Sequence, residues 1–386
     1  MLRVLTLSTL FPDASRPRFG PFVERQTMGL AAHPDVELRV VAPLGIPPAP
    51  VGLHPKYRTL RALPLHERWN GLDVYRPRYA HIPGVGGRFD GAALARALLP
   101  LLKSIRDEFP FDVIDASFFF PDGPAAAKLG KALDVPVSIK ARGGDIHFWG
   151  SKPVIREQIL AAAHDAAGVL AVSAALKTDM VAMGMAADKI RVHYTGVDLA
   201  LFKPVPREPR NAPLIVCVGN LLERKGQRLL IEAISLIDGA KLILIGDGPD
   251  RAALEAKAKT LGVADRVQFI GTIAHAEMAH WLAKADVMAL PSASEGLANA
   301  WVEALACGTP LVITDVGGAR EVVDRPEAGH LVPPDPAAFA AAIRDLFDYP
   351  RDPAAVRAVA ERFTWEANSE ALYAHLASLV TSHSLH

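Results

Sequence analysis

Two glutamates, Glu295 and Glu303, carry the most informative chemistry in this 386-residue sequence. They lie within DVMALPSASEGLANAWVEALACGTPLVITDVGG, residues 286–318. The opening residues read as a strand over 286–290 that ends at Pro291. A short loop with Ser292, Ser294, Glu295 and Gly296 leads into a helix over about 298–307, stopped by Gly308 and Pro310. Glu295, Asn299 and Glu303 are spaced by four, which predicts one ridge along that helix and its entry. Gly296 permits close backbone approach to a ligand. The amides of Leu297, Ala298 and Asn299 are then free donors at a helix N-terminus, a natural seat for phosphate. A carboxylate on each side of that seat suits recognition of hydroxyl groups. A solvated helix start with an acidic first turn explains the same spacing equally well.

A second stretch, 214–228, reads LIVCVGNLLERKGQR. A buried strand ends at Gly219, and the loop after it offers Asn220, Arg224 and Lys225 before the next helix. Basic groups in that place neutralise charge left on a departing diphosphate. Solvated lysines are a poorer explanation, because a basic helix start opposes the dipole. A third stretch, IGDGP at 245–249, is a tight turn after another strand. Gly246-Asp247-Gly248 is two-thirds of a dinucleotide fingerprint, with Arg251 in place of the third glycine, too incomplete to indicate a nicotinamide cofactor. In the first half, Phe19-Gly20-Pro21 opens the first helix, and Arg142-Gly143-Gly144-Asp145 follows a strand at 136–140. His147 comes next, and a lone histidine is more often structural than catalytic. The sequence has no P-loop, no Asp-x-Asp pair to hold a metal and no Gly-x-Ser-x-Gly elbow.

These loops need elements to hold them, and the chain alternates regularly. Short β-rich runs fall at 3–7, 36–42, 112–116, 136–140 and 169–172, then at 214–219, 241–245, 266–270, 286–290 and 310–313. Ala/Leu-rich helical stretches such as 91–108, 152–167, 225–236 and 249–260 lie between them. Strands apolar on both faces predict parallel sheets covered by helices. KPVPREPRNAP, 203–213, cannot continue a helix or a central strand and is expected to be a linker. The expected fold is α/β, two Rossmann-like doubly wound domains facing a cleft. The first spans 1–202, the linker 203–213 and the second 214–362; a helix over 363–386 packs back on the first. Segment 43–70 is expected to be an irregular surface excursion, and 352–380 to be helical. Ligands of open α/β sheets sit beyond the carboxyl ends of the strands, so the chemistry belongs in the loops that follow them.

Composition limits the function. Half of the residues are hydrophobic and 22% are charged, which is globular. Lys+Arg and Asp+Glu are 42 each, without the basic excess of a nucleic-acid binder. Two cysteines exclude a disulfide framework and a Cys-type zinc site. No apolar run approaches the ~18 residues of a membrane span and no signal-peptide cleavage pattern is present, so a cytoplasmic location is expected. The neutral total hides an asymmetry: residues 1–200 hold 24 basic and 19 acidic side chains, residues 201–386 hold 18 and 23. Ten basic and three acidic residues fall in 56–106, with Tyr57, Trp69, Tyr75 and Tyr79. That mixture suits peripheral contact with an anionic membrane at its inner face. Charges scattered over a solvated excursion are the competing reading.

Together the segments resemble the retaining glycosyltransferases of family 4, which have the GT-B fold, over nearly the whole chain. The strongest match is Glu295-Gly296 through Glu303-Ala304, similar to the family's E-x7-E signature and continuing into ACGTPLVITDVGGAREVV. VGNLLERKGQRLLIEA, GDGPDRAAL, FIGTIAHAEMAHWLAKADVMALPS and TGVDLALFKP also look like family segments. The opening LSTLFPDASRPRFGPFVERQ is similar to members that build bacterial polysaccharides.

The resemblance implies roles. Glu303 would bind the donor ribose, Glu295 the transferred sugar, and Gly296, Leu297, Ala298 and Asn299 the distal phosphate and sugar. Lys225 would hold the diphosphate, Gly20 would approach it, and the backbone at Ile273 would meet the nucleobase. Gly248, in GDGPDRAAL, and Asp145, beside Arg142, count among the substrate-binding candidates. Two departures stand out: Asn220 replaces the family's usual arginine, with Arg224 the available substitute, and Arg142 replaces a histidine. Arginine stays charged and can only donate. The expected activity is metal-independent transfer of a sugar, with retention, from a nucleotide-diphosphate sugar to a sugar or lipid-linked acceptor, without a cofactor. The alternatives are a non-hydrolysing nucleotide-sugar epimerase, an NAD-dependent dehydrogenase and a binding protein without catalysis.

Overall fold

The structure is a computed structural model. It describes residues 1–84, 86–207, 210 and 212–385, apart from the side chain of Lys56. Glu208, Pro209 and Asn211 of the expected linker, and Val85 and the Lys56 side chain of the basic run, lie outside the described residues. The chain divides into two units, Met1–Tyr194 with Trp365–His386, and Thr195–Thr364.

The first unit is built on an eight-stranded sheet. Its order is Ile190–Val192, Gly168–Ala171, Val137–Ala141, Val113–Ala116, Leu2–Leu7, Val36–Val41, Leu72–Tyr75, His66–Trp69. Every pair is parallel except the last. The central strands are buried on both faces, as their unbroken apolar runs require. The strand order reverses between Leu2–Leu7 and Val113–Ala116, which marks the switch point where doubly wound sheets take ligands. Helix Trp365–His383 covers this sheet: Leu372 and Leu376 join one core cluster with Leu2, Val4, Leu30, Val36, Val113 and Leu170.

Two expectations change here. Segment 43–70 is not irregular throughout. Leu44–Ile46 pairs with Arg78–Ala80, Pro55–Ala62 is helical, and His66–Trp69 forms a hairpin with Leu72–Tyr75. The hairpin turns at Asn70-Gly71, both left-handed at φ 48° and 86°, the geometry of a tight two-residue turn. The prolines on either side hid that signal. Nor is 352–380 one helix. Pro353–Ala360, capped by Asp352, stops before Phe363, whose carbonyl accepts from the Val197 amide at 2.7 Å. A bridge pairs Thr364 with Val197, so the backbone leaves the helix before Trp365 starts the next one.

The second unit carries a six-stranded sheet, all parallel: Val267–Gly271, Lys241–Ile245, Leu214–Val218, Val287–Leu290, Leu311–Thr314, Gly329–Val332. Numbered within the unit this is the 3-2-1-4-5-6 order of a dinucleotide-binding fold. Its switch point lies between Leu214–Val218 and Val287–Leu290. The loops after those two strands are the ones that hold Lys225 and Glu295. Cys217 and Cys307 are buried, unpaired thiols, pushed up to about 12 by burial.

Candidate active site

In the second unit, the loop after Leu214–Val218 closes with a short turn, Glu223–Lys225, and helix Gln227–Ser235. The loop after Val287–Leu290 runs from Pro291 to Ala298 and enters helix Asn299–Ala306. The two loops touch through their backbones. The Ala293 amide donates to the Arg224 carbonyl at 2.8 Å. Gly226 is left-handed, and a Cβ on it would stand 2.1 Å from the Pro291 carbonyl oxygen, so only glycine fits there. On the far side the Gly318 amide donates to the Gly296 carbonyl at 2.8 Å.

That packing brings Lys225 and Glu295, 70 residues apart in sequence, into an ion pair with both side chains mostly buried. The helix begins at Asn299, and Glu295 sits in the loop at its entry, as the sequence implies. The helix has no side-chain cap, and the amides of Leu297, Ala298 and Asn299 make no hydrogen bond among the described residues. Unsatisfied donors at a helix N-terminus are an anion seat. Glu303, one turn inside, is 7% exposed and accepts from His275 Nε2 at 2.7 Å. His275 starts helix His275–Lys284 and packs edge-on against Phe202. Spacing did not single out His275; its only signal was its place just after Ile273, in the turn that follows Val267–Gly271.

The other candidates of this unit lie around that pair. Arg224 is exposed, and its guanidinium makes no hydrogen bond or ion pair among the described residues. Asn220 is exposed, and its carbonyl accepts from Gln227 at 3.0 Å. Gly246 and Gly248 have a packing reason. Cβ atoms there would lie 2.1 Å from the Gly219 carbonyl oxygen and 2.2 Å from that of Leu221. The incomplete fingerprint is thus a close crossing of two loops, and the Gly248 amide is already bonded to Asp247.

In the first unit, Gly20 caps helix Pro21–Ala31 in the left-handed region, φ 63°. A Cβ there would fall 1.7 Å from the Leu10 carbonyl oxygen. Arg142 is half-buried beyond the end of Val137–Ala141. Its Nε donates to the Ser117 carbonyl at 2.7 Å and its Nη2 to Gln26 Oε1 at 3.3 Å. Burial lowers its pKa to about 10, leaving it charged at neutral pH. Asp145 is turned inward. Its carboxylate accepts from the amides of Phe119, Arg142, Gly143 and Ile146, and so shapes the loop. Burial still raises its pKa. His147 pairs with Asp179 at 2.9 Å. Behind Arg142 lies Lys140, 1% exposed, bonded to Gln26 Oε1 at 2.7 Å and His193 Nδ1 at 2.6 Å. A lysine inside the apolar strand VSIKA is the sequence signal for this network.

Part of the basic run 56–106 is bonded within the protein. Arg76 pairs with Glu67, Arg78 donates to backbone carbonyls, and Arg106 donates to the Leu133 carbonyl. Trp69 donates to Glu24 at 2.6 Å, Tyr75 stacks on His66, and Tyr79 is 8% exposed. These three rings thus each have a contact within the protein or are buried in it. Arg58, Arg61, Arg88, Arg96 and Lys103 are exposed, as are Leu65, Ile82 and Phe89. No described helix is long and apolar enough to cross a membrane.

Solved structures define the class. Sucrose-phosphate synthase from Thermosynechococcus elongatus superimposes with a TM-score of 0.80 at 22% identity, covering 99% of this chain and 100% of that one. Anabaena Alr3699/HepE, in complex with UDP and glucose, gives 0.76 at 21% identity over 98% and 100%. The fold is that of the GT-B glycosyltransferases. Residues 30–201 match the model Glycosyltransferase Family 4, and 212–349 match Glycosyl transferases group 1. The chain is 30% identical over 357 residues, 89% of it and 88% of the relative, to the "Putative teichuronic acid biosynthesis glycosyltransferase TuaC" of Bacillus subtilis. It is 34% identical, over 69% of its length and 72% of the relative's, to the D-inositol 3-phosphate glycosyltransferase of Xylanimonas cellulosilytica. The chain belongs to this family of glycosyltransferases.

Proposed function

We propose that the enzyme moves a sugar from a nucleotide-diphosphate sugar to an acceptor hydroxyl, with retention and without a metal, in assembly of a bacterial polysaccharide or glycolipid. The observation that carries this reading is the Lys225–Glu295 pair beside the unbonded amides of Leu297, Ala298 and Asn299. A cation and a helix N-terminus at one switch point suit a diphosphate. A related fold, Alr3699/HepE, was solved with UDP-glucose.

In this mechanism the bond between the anomeric carbon and the phosphate oxygen breaks, and negative charge collects on the diphosphate. Lys225, the helix N-terminus and Arg224 stabilise it. The acceptor hydroxyl attacks from the face the leaving group vacates, and its proton passes to the departing phosphate oxygen. Glu295, already paired with Lys225, binds sugar hydroxyls rather than attacking carbon. Glu303, oriented by His275, takes the ribose hydroxyls, and the backbone at Ile273 lies against the base.

The acceptor belongs to the first unit. Arg58, Arg61 and Arg88 with Leu65, Ile82 and Phe89 are the groups that would bring residues 56–106 onto an anionic leaflet, in place of the aromatic rings. Co-sedimentation with anionic but not neutral vesicles, falling with salt, checks that contact. The test of the reaction is NMR of the product formed in EDTA. The same anomeric configuration in product and donor supports it; inversion, or a need for added Mg²⁺ or Mn²⁺, overturns it.

A further inference from the structure

The first unit holds two basic side chains, Arg142 and Lys140, with no carboxylate bonded to either; Arg142 stays charged, and burial holds the Lys140 amine well below the usual lysine range. Arg142 and Lys140 make no ion pair; each is bonded only to neutral acceptors. The same unit treats another arginine differently: Arg76, fully buried, is paired with Glu67. Asp145 is close in sequence, but its carboxylate is taken up by four amides. Asp115, one strand away, makes no hydrogen bond to either; its charge acts on both through space, but burial outweighs that attraction and pushes Asp115 itself up to about 6. A guanidinium withdrawn from water without a carboxylate bonded to it is costly.

The guanidinium is also held from behind. Ser117 takes Nε, Gln26 takes Nη2, and the plane lies 4.9 Å above the Phe22 ring. Gln26 is fixed in turn, because its Oε1 accepts from Lys140 as well. The tautomer of His193 follows: Nε2–H donates to the Asn368 carbonyl at 2.8 Å, which leaves Nδ1 to accept from Lys140. A chain of bonds from the C-terminal helix to Gln26 thus sets the direction of Arg142. Nη1 has no partner among the described residues, and the residue keeps a minor part of its surface exposed. Beside it, Gln26 Nε2 and Ser117 Oγ are buried with no hydrogen-bond partner.

We infer that Arg142 is a preset receptor for an anionic group, a carboxylate or phosphate, on the sugar substrate met by the first unit. The inference deepens the glycosyltransferase reading by naming a substrate class. A guanidinium pairs with either anion through two parallel bonds, and one already oriented loses less freedom in doing so. Lys140 and Gln26 are positioning residues for it.

Calorimetry on the full chain tests this with two matched pairs of probes. UDP-glucuronate against UDP-glucose places the anion on the donor; glucose 6-phosphate against glucose, without nucleotide, places it on the acceptor. In at least one pair the anionic member should bind about tenfold tighter or more, with the preference shrinking as NaCl rises. Arg142→Gln should reduce it to about threefold or less, and Arg142→Lys should retain part of it. Equal binding within both pairs by the wild type overturns the inference, as does a preference that survives Arg142→Gln. Failure of UDP-glucose and UDP-glucuronate alike to bind would strike the donor-site reading instead, and the acceptor pair would still decide the role of Arg142.

Discussion

The two units use the same sheet logic and treat charge in opposite ways. In the second, Lys225 and Glu295 face each other at the switch point, and Glu303 meets a half-exposed His275. Those pairs can open toward a ligand, and unbonded amides lie next to them. In the first, Lys140, Gln26, His193 and Asn368 form a closed interior chain, and Arg142 alone reaches its edge. One unit pairs its charges at the switch point where a ligand is proposed to bind, and the other uses them to hold a loop and a helix in place. Substitutions should therefore separate: activity without stability in one unit, stability first in the other.

The largest separation is expected at Glu295. Glu295→Gln should lower turnover by on the order of 10²-fold, with a melting temperature close to wild type, since it removes charge at a ligand-facing site. Steady-state assays with calorimetric melting would show it, and unchanged turnover would make the motif structural. Lys140→Met is the counterpart. It leaves His193 Nδ1 without its donor and Gln26 Oε1 with only the longer bond from Arg142, which costs about 1–3 kcal/mol. A fall in melting temperature of several degrees is expected, and an unchanged value would break the contrast.

His275→Ala should act more weakly, raising the donor KM several-fold with kcat near wild type, because only the orientation of Glu303 is lost. A collapse of kcat would place His275 at the reaction itself.

The smallest effect concerns Asp122, buried in the first unit with its carboxyl raised to about 7 by desolvation. A carboxyl whose folded value exceeds its unfolded one is penalised increasingly as pH rises between the two. Asp122→Asn can still accept from the Thr9 amide, as the carboxylate does. Its melting temperature should gain on wild type from pH 5 to pH 7, by a few degrees, and gain no more above that. A gap that narrows with pH would contradict the burial argument.

How much of this was legible differs between the units for a physical reason. The second unit's candidate site sits on two short loops, and VGNLLERKGQR with the spacing of Glu295 and Glu303 marks those loops in the sequence. What spacing could not reveal was that Glu295 faces Lys225 across 70 residues. The first unit's network joins Gln26, Lys140, His193 and Asn368, which meet only when strand and helix order is known. Alternation located most strands within a residue or two. It missed the short edge strands Ile190–Val192 and Gly329–Val332 and the Asn70-Gly71 hairpin, where few apolar residues carry the pattern.

The most direct test of the central claim is nucleoside-diphosphate binding to wild type and Lys225→Ala, measured by calorimetry in EDTA with UDP, GDP and ADP. The loss of one charge-assisted hydrogen bond, about 1.5–3 kcal/mol, predicts affinity weaker by one to two orders of magnitude for whichever diphosphate the wild type binds. Equal affinities would place the diphosphate elsewhere and contradict the account.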